Sequence, residues 1–142
     1  MTRRGRSWLQ RVALLVAATG NAVVGAWAVI TPRGFYDTFP GAGHHWVSVD
    51  GPYNEHLVRD VGTLSLALAL MLLAALWRGG KVLVGTASVA ALVFAAPHLA
   101  YHASHLDHFS TTDTILEMVA LTLAVVAPLT SLIITVTLRS RR

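Results

Sequence analysis

The sequence contains no cysteine, and only 13% of its 142 residues are charged. The absence of cysteine excludes a disulfide scaffold, a zinc ribbon and thiol catalysis. An ordinary soluble domain has about 25% charged residues, and a chain this short has a large surface to cover relative to its volume. The low charge therefore argues against a soluble globular domain. It argues equally against a disordered chain, which needs few apolar and many charged residues.

Apolar residues are abundant instead: they make up 54% of the chain and form four long runs. The runs cover residues 8–30, 57–77, 82–101 and 114–138. Each has about 20 residues or more, the length that a helix needs to cross a hydrocarbon core of about 30 Å. Short links join the last three runs. We predict one all-α domain, an integral membrane four-helix bundle with up-down topology.

The first two runs are joined by a segment, residues 31–56, that is too long for a plain turn. It is rich in aromatic residues, glycine and proline, and Pro32 stands where a short helix would begin. We predict an interfacial loop or a short helix through Phe39, with aromatic side chains in the headgroup layer. The segment would be either a moving lid or a fixed cap over this end of the bundle.

Lysine and arginine are distributed unevenly between the two ends of the predicted bundle. If the amino terminus is cytoplasmic, nine of the eleven basic residues face the cytoplasm, and only Arg33 and Arg59 lie on the other side. This bias follows the positive-inside rule, so we predict a multi-pass protein of the cell membrane with both termini in the cytoplasm. The net charge of +4 then marks orientation, and the expected partner is the lipid bilayer, not nucleic acid. The cytoplasmic basic residues are Arg3, Arg4, Arg6, Arg11, Arg78, Lys81, Arg139, Arg141 and Arg142.

The first run also has two features of a secretory signal peptide. Three arginines precede it, and Ala26-Trp27-Ala28 has the small-x-small form of a cleavage site. The run is long for a signal peptide, so we expect it to be retained as the first membrane span.

Acidic residues and histidines concentrate at the other end. In this orientation all seven acidic residues and all seven histidines fall in the outer half or the outer loops. At a rise of about 1.5 Å per residue, Arg59 and Asp60 on the second span, His98 and His102 on the third and Glu117 on the fourth lie near one depth. Ionisable residues inside a membrane usually face the bundle interior or a cavity. We therefore predict a site of histidines and carboxylates at the extracytoplasmic end.

The spacing of the histidines indicates a metal site. At about 100° per residue, His98, His102 and His105 fall within an arc of roughly 60° on the third helix. Imidazoles at positions i and i+4 can bind one metal ion, and a carboxylate from a neighbouring helix completes a three-ligand site. The predicted ligands are these histidines with Glu117 and Glu55. Without thiolates, the expected metal is zinc, copper or non-haem iron.

Three residues of the second span are candidates for catalysis. His56 would carry protons, because the pKa of histidine is near neutrality. Arg59 would hold an anionic ligand or orient a carboxylate, and Asp60 would supply a carboxylate. The predicted function is metal binding, with metal-dependent catalysis on an apolar or membrane-borne small molecule. The structural alternatives are a surface ion pair of Glu55 with Arg59, and a buried network in which His98 bonds to Asp60 or Glu117.

Three other functions fit the same residues. Haem b held by His98 and His56 would make the protein a redox protein, and a Soret band would reveal it. A chain of histidines and carboxylates also suits a proton-linked carrier or sensor. Finally, the bundle could be an accessory subunit of a larger membrane complex or a homo-oligomer, with the polar end as a packed network.

The chain resembles small actinobacterial membrane proteins of unknown function in its four-span plan, its basic cytoplasmic ends and the stretch Gly51-Pro52-Tyr53-Asn54-Glu55-His56-Leu57-Val58-Arg59-Asp60. Its overall plan is also similar to that of the DoxX-like group. The second resemblance covers most of the chain in architecture. It implies a four-helix membrane fold and a link to membrane redox chemistry, and it implies no functional residue.

Overall fold

The structure is a computed structural model of the chain, which describes the backbone of residues 3–137 and the side chains of residues 8–137. Helices account for most of it, and two short strands pair antiparallel between the second and third helices. The elements in chain order are α1 (Arg3–Ile30), α2 (Pro32–Thr38), β1 (Pro40–Gly41), β2 (His44–His45), α3 (Glu55–Arg78), α4 (Lys81–Ala103) and α5 (Thr111–Thr137).

Four of these helices are long and apolar enough to cross a membrane, with spans of 23, 24, 23 and 27 residues. The predicted spans lie within α1, α3, α4 and α5 at every residue that the structure describes, so the all-α four-helix fold is confirmed. The short helix predicted from Pro32 is confirmed as α2. Parts of the prediction lie outside the described residues, namely Leu138, Arg139, Arg141, Arg142 and the side chains of Arg3, Arg4 and Arg6.

The four long helices form a ring. α1 packs mainly against α3, and α4 packs mainly against α5, while contacts of α1 with α5 and of α3 with α4 close the ring. The short α3–α4 and α4–α5 connections make those long helices antiparallel to their neighbours in the chain, as predicted. Residues 31–54, which we call the cap segment, lie with the α4–α5 connection at one end of the bundle, the loop end. We call the opposite end, where Gly79 and Gly80 join α3 to α4, the Gly79 end.

Local capping determines where α3 and α5 begin and where α3 ends. The Asn54 side chain accepts a hydrogen bond from the backbone N–H of Leu57 at 3.1 Å, and Ser110 Oγ accepts one from Asp113 N at 3.1 Å. Both are N-caps that satisfy otherwise unpaired N–H groups of a first helical turn. Gly79 ends α3 with a φ of 65°, a conformation that side-chain-bearing residues rarely adopt.

α1 and α3 approach each other closely at two glycines. A Cβ atom at Gly25 would lie 2.8 Å from the backbone oxygen of Gly62, and a Cβ atom at Gly62 would lie 2.9 Å from Cβ of Ala28. Small residues allow such backbone approach between membrane helices. The contact holds one wall of the bundle tightly together near its loop end.

The interior of the bundle is filled at the Gly79 end and incompletely filled at the loop end. Leu14, Leu72 and Val84 belong to a buried apolar cluster near the Gly79 end. On α5, Pro128 is buried, whereas Ala124 and Ala120, which precede it at four-residue intervals on the same face, are exposed. These alanines are too small to reach the opposite helices, so they border a cavity.

Candidate functional site

A cavity of about 790 Å³ lies between the four long helices and beneath part of the cap segment. Its walls are mainly apolar and aromatic, with Trp27 from α1, Phe35 from α2, Phe94 from α4, and Phe39 and Trp46 from the cap segment. Several rings touch edge to face, and the centroids of Trp27 and Phe39 are 5.8 Å apart. Ligand cavities of proteins commonly have volumes of about 300–1,000 Å³ and mostly apolar walls. This cavity has the size and lining of a binding site for an apolar small molecule.

Two histidines and two acidic side chains stand at the loop end of this cavity. They are His98 and His102 from α4, Glu117 from α5 and Asp50 from the cap segment. The ring centroids of His98 and His102 are 4.6 Å apart, and His102 Nδ1 lies 2.9 Å from Glu117 Oε1 and 3.9 Å from Asp50 Oδ2. We call these four residues the polar cluster.

The contact between His102 and Glu117 is close but incomplete. Glu117 is 3% exposed and His102 is 9% exposed. Despite their separation of 2.9 Å, the two groups do not have the geometry of a hydrogen bond. Within the part of the chain that the structure describes, His102 Nδ1 and Glu117 Oε2 are buried without any hydrogen-bond partner. Both atoms therefore retain bonding capacity beside the cavity that their residues line.

The periodicity of α4 explains why its two histidines point inward. Ala91, Ala95, His98 and His102 follow one another at intervals of three or four residues, so they form a single stripe along the helix. Ala91 and Ala95 are buried in the bundle, and the stripe carries the imidazoles to the same interior face. The ring of Phe94 stacks on His98 with centroids 5.2 Å apart, which orients the imidazole.

Asp50 joins the polar cluster through the fold of the cap segment. The hydroxyl of Tyr36, on α2, donates a hydrogen bond to the carbonyl of Gly51. The Tyr36 ring also packs edge to face against Tyr53, with centroids 5.2 Å apart. These contacts hold the turn that carries Asp50 against the bundle. Asp50 was not among the residues predicted for the site, and its local signal in the sequence is the turn-forming Gly51-Pro52 pair that follows it.

Asp113 attaches the cap segment to the start of α5. Its Oδ1 atom accepts a hydrogen bond from Trp46 Nε1 at 2.9 Å and lies 2.5 Å from His44 Nδ1. Its other oxygen accepts a hydrogen bond from Ser110 Oγ at 2.6 Å. The side chain of Asp113 thus connects the cap segment to α5 one helical turn before Glu117.

The residues of α3 that were predicted to be catalytic lie away from the cavity. His56 Nδ1 lies 3.2 Å from Asp60 Oδ2, and these side chains are 87% and 61% exposed. Arg59 donates to Glu55 Oε1 at 2.9 Å and to the carbonyl of Val29 at 2.7 Å, so it satisfies a carbonyl in the last turn of α1. These side chains do not reach the cavity because they lie on the outer side of α3, and the opposite side of the helix packs into the bundle. The buried residues of α3 are Val58, Gly62, Ser65, Leu68, Ala69, Leu72 and Ala75.

The predicted metal ligands are brought together only in part. His98, His102 and Glu117 converge, whereas Glu55 pairs with Arg59 on the surface of α3. The exposed ring of His105 stacks on Tyr101, with centroids 4.2 Å apart. In the described residues, no group of three or more histidine and acidic side chains has an arrangement that could hold a metal ion. Zinc, copper or iron binding therefore stays a prediction.

The haem alternative requires a second histidine opposite His98. His56 does not provide it, because its side chain is exposed on the far side of α3. The neighbour of His98 in the structure is His102 on the same helix, and the two rings meet edge to face. Two axial ligands must approach a haem iron from opposite faces of the macrocycle. The structure does not bring His98 and His56 together, and haem b stays a prediction.

Comparisons with protein-family models, with curated proteins and with solved structures find no match to this chain. The resemblance to the DoxX-like group stays a prediction. The function has to be inferred from the cavity and its polar cluster.

Proposed function

We propose that the protein binds an apolar, membrane-borne small molecule in the cavity, with the polar head of the molecule at His102 and Glu117. One observation carries the proposal: Glu117 Oε2 and His102 Nδ1 are buried beside the end of a mainly apolar cavity, with no hydrogen-bond partner among the residues that the structure describes. A buried polar atom without a hydrogen bond costs about 1–3 kcal/mol, and few occur in native structures. A ligand whose head group bonds to these atoms would remove that cost.

The position of the cavity also supports a hydrophobic ligand. It is surrounded by helices that are apolar enough to cross a membrane, so we expect its walls to lie at the level of the lipid chains. Molecules dissolved in the bilayer are already concentrated at that level. Binding would transfer an apolar body between two apolar environments, so the hydrogen bonds at the head group would supply the specificity.

The test is an analysis of the small molecules that co-purify with the protein in native-membrane polymer discs. We expect mass spectrometry to find one class of apolar molecule with the wild-type protein. Ala124→Trp, which places a large side chain in the cavity, should lower its amount by about tenfold or more, as expected when a fitted apolar contact is replaced by a steric clash. The matched control is Val126→Trp, because Val126 is exposed and does not line the cavity.

Two results would contradict the proposal. One is a lipid and small-molecule profile that Ala124→Trp leaves the same as that of the control. The other is a stoichiometric metal or a Soret band in the purified protein that is lost in His98→Ala, which would favour the predicted metal or haem chemistry. Elemental and optical analysis of the same samples distinguishes these cases.

We also propose that the loop end faces the outside of the cell and that the Gly79 end faces the cytoplasm. The bias of nine basic residues against two supports this orientation.

The absence of native cysteine allows a direct test with a membrane-impermeant maleimide. Ala42→Cys, at an exposed position of the loop end, should be labelled in intact cells, and Arg78→Cys, at an exposed position of the Gly79 end, only after lysis. The reverse pattern would overturn the orientation.

A further inference from the structure

From the charge of the polar cluster we infer that the cavity selects apolar amines, binding them more tightly than matched alcohols or carboxylic acids. This inference rests on the proposed function, and it names the class of ligand. The complementary head group is an ammonium ion, which combines a positive charge with N–H donors.

The first support is the balance of ionisable groups around the cavity. The lining includes the carboxyl groups of Asp50 and Glu117 and the imidazoles of His98 and His102, and among the side chains of residues 8–137 it includes no lysine or arginine. With both carboxylates ionised, the polar cluster is negative unless both imidazoles are protonated, in which case it is neutral. An anionic head group would therefore enter a site with no net positive charge to receive it. A cationic head group would meet complementary charge.

Arg33 and Arg59, the basic residues of the loop end, are bound to groups outside the polar cluster. Arg33 donates to Asp37 at 2.7 Å, and it lies 4.9 Å from the centroid of the Tyr53 ring. Arg59 is bound to Glu55 and to the carbonyl of Val29. Neither arginine lines the cavity. Neither arginine therefore neutralises the carboxyl groups of the polar cluster, and Glu117 Oε2 keeps its bonding capacity beside the contact of Oε1 with His102.

The second support is the type of atom that lacks a partner. An ionised carboxylate only accepts hydrogen bonds, and Glu117 Oε2 is buried with no donor from the described part of the chain. A hydrogen bond between an ammonium N–H and a carboxylate is charge-assisted, and is roughly twice as strong as one between neutral groups. An alcohol can donate to Glu117 but lacks the charge, and an ionised acid cannot donate at all. The expected order of affinity is therefore amine, alcohol, acid.

The third support is the aromatic wall. Trp27, Phe39 and Trp46 line the cavity near its cap, and Phe94 lines it beside His98. Aromatic faces attract cations, more strongly where water is excluded. The same wall receives the apolar body of the ligand, so one cavity serves both parts of an apolar amine.

A matched series of probes tests the inference with the full-length protein in lipid nanodiscs. Pyrenemethylamine, pyrenemethanol and pyreneacetic acid share one apolar fluorescent body and differ in the charge of the head group. Trp27 and Trp46 line the cavity, so energy transfer from tryptophan to pyrene reports binding. We expect the amine to bind about tenfold more tightly than the alcohol, the gain expected from one charge-assisted hydrogen bond, and the acid to bind most weakly.

Variants assign the selectivity to the two carboxylates. Glu117→Gln keeps the size of the side chain and should lower the affinity for the amine by about tenfold while changing that for the alcohol little. Asp50→Asn should have a smaller effect in the same direction, since Asp50 is the more exposed of the two carboxylates. The matched control is Asp107→Asn, which removes one negative charge at the loop end from an exposed residue that does not line the cavity.

The outcomes separate this inference from the proposed function. If Ala124→Trp blocks the probes but the three bind equally, or the acid binds best, the amine selectivity is wrong and the proposed function stands. If the preference for the amine survives both Glu117→Gln and Asp50→Asn, the carboxylates do not cause it and the inference fails. If Ala124→Trp alters the binding of none of the probes, both proposals fail.

Discussion

Replacing Asp113 with alanine is expected to speed hydrogen exchange in the cap segment by about a hundredfold, because two hydrogen-bonded contacts to a carboxylate are worth about 3 kcal/mol together. Asp113 contacts both Trp46 Nε1 and His44 Nδ1, and Trp46 is buried. Without the carboxylate, the indole N–H loses its acceptor. The backbone N–H of Trp46, which donates to the carbonyl of Phe39 at 2.9 Å, should then exchange faster.

Exchange followed by mass spectrometry would localise this effect. The peptides that cover residues 39–50 should change, while those of α1 and α3 around Gly25 and Gly62 should not. Asp113→Asn should give an intermediate result, because the amide oxygen still accepts a hydrogen bond but carries no charge. Asp107→Ala, at an exposed position of the neighbouring α4–α5 connection, is the control. If the exchange of the cap segment were unchanged in Asp113→Ala, the aromatic contacts of Phe39 and Trp46 would hold the segment without the carboxylate.

The second large effect concerns Glu117. Whereas replacing Asp113 should destabilise the cap segment, replacing Glu117 should stabilise the fold. Glu117→Met should raise the free energy of unfolding by about 1–3 kcal/mol, because it replaces a buried oxygen that has no hydrogen-bond partner in the described residues by an apolar atom of similar reach. The same change should abolish the preference for an amine. A residue that weakens the fold and is needed for binding is typical of functional sites. Thermal unfolding in detergent, with Leu116→Met as an exposed control on α5, measures the difference.

Whether Glu117→Met raises or lowers the free energy of unfolding also shows whether His102 is neutral or forms a charged pair with Glu117. A neutral imidazole loses little when Glu117 is removed, since the 2.9 Å contact does not have hydrogen-bond geometry. If His102 and Glu117 instead form a charged pair, removing one partner would leave a buried charge and destabilise the protein by about 3–5 kcal/mol. A lower unfolding temperature for Glu117→Met would therefore contradict the proposal that the carboxyl group is available to a ligand.

The fold was largely predictable because its main determinants are local. A run of about 20 apolar residues that crosses a membrane has to satisfy its backbone hydrogen bonds internally, and a helix does so. The glycines at the turn between α3 and α4, and Pro32 at the start of α2, stand where helices end and begin. Short connections then leave little choice but antiparallel neighbours. None of these inferences requires knowledge of which helix faces touch.

The candidate site was predictable only where one helix determined the answer. The spacing of His98 and His102 places them on one face of α4 whatever the partner, and the depth of Glu117 follows from counting residues. The same reasoning was misleading for His56 and Asp60. Their depth along the bundle is similar to that of the polar cluster. However, α3 packs against α1 through the face opposite to these two side chains, where Gly62 approaches Gly25.

Composition and hydrophobic pattern alone thus determined that the chain is an all-α bundle with four helices able to span a membrane, and that its acids and histidines collect near one end. Only the tertiary structure decided which of those side chains face inward, because that depends on the rotation of each helix against its neighbours. It also decided the role of Asp50, which reaches the cluster through the path of the cap segment. The cavity itself arises where small residues such as Ala120 and Ala124 leave the space between helices unfilled, and packing of this kind is a property of several helices together.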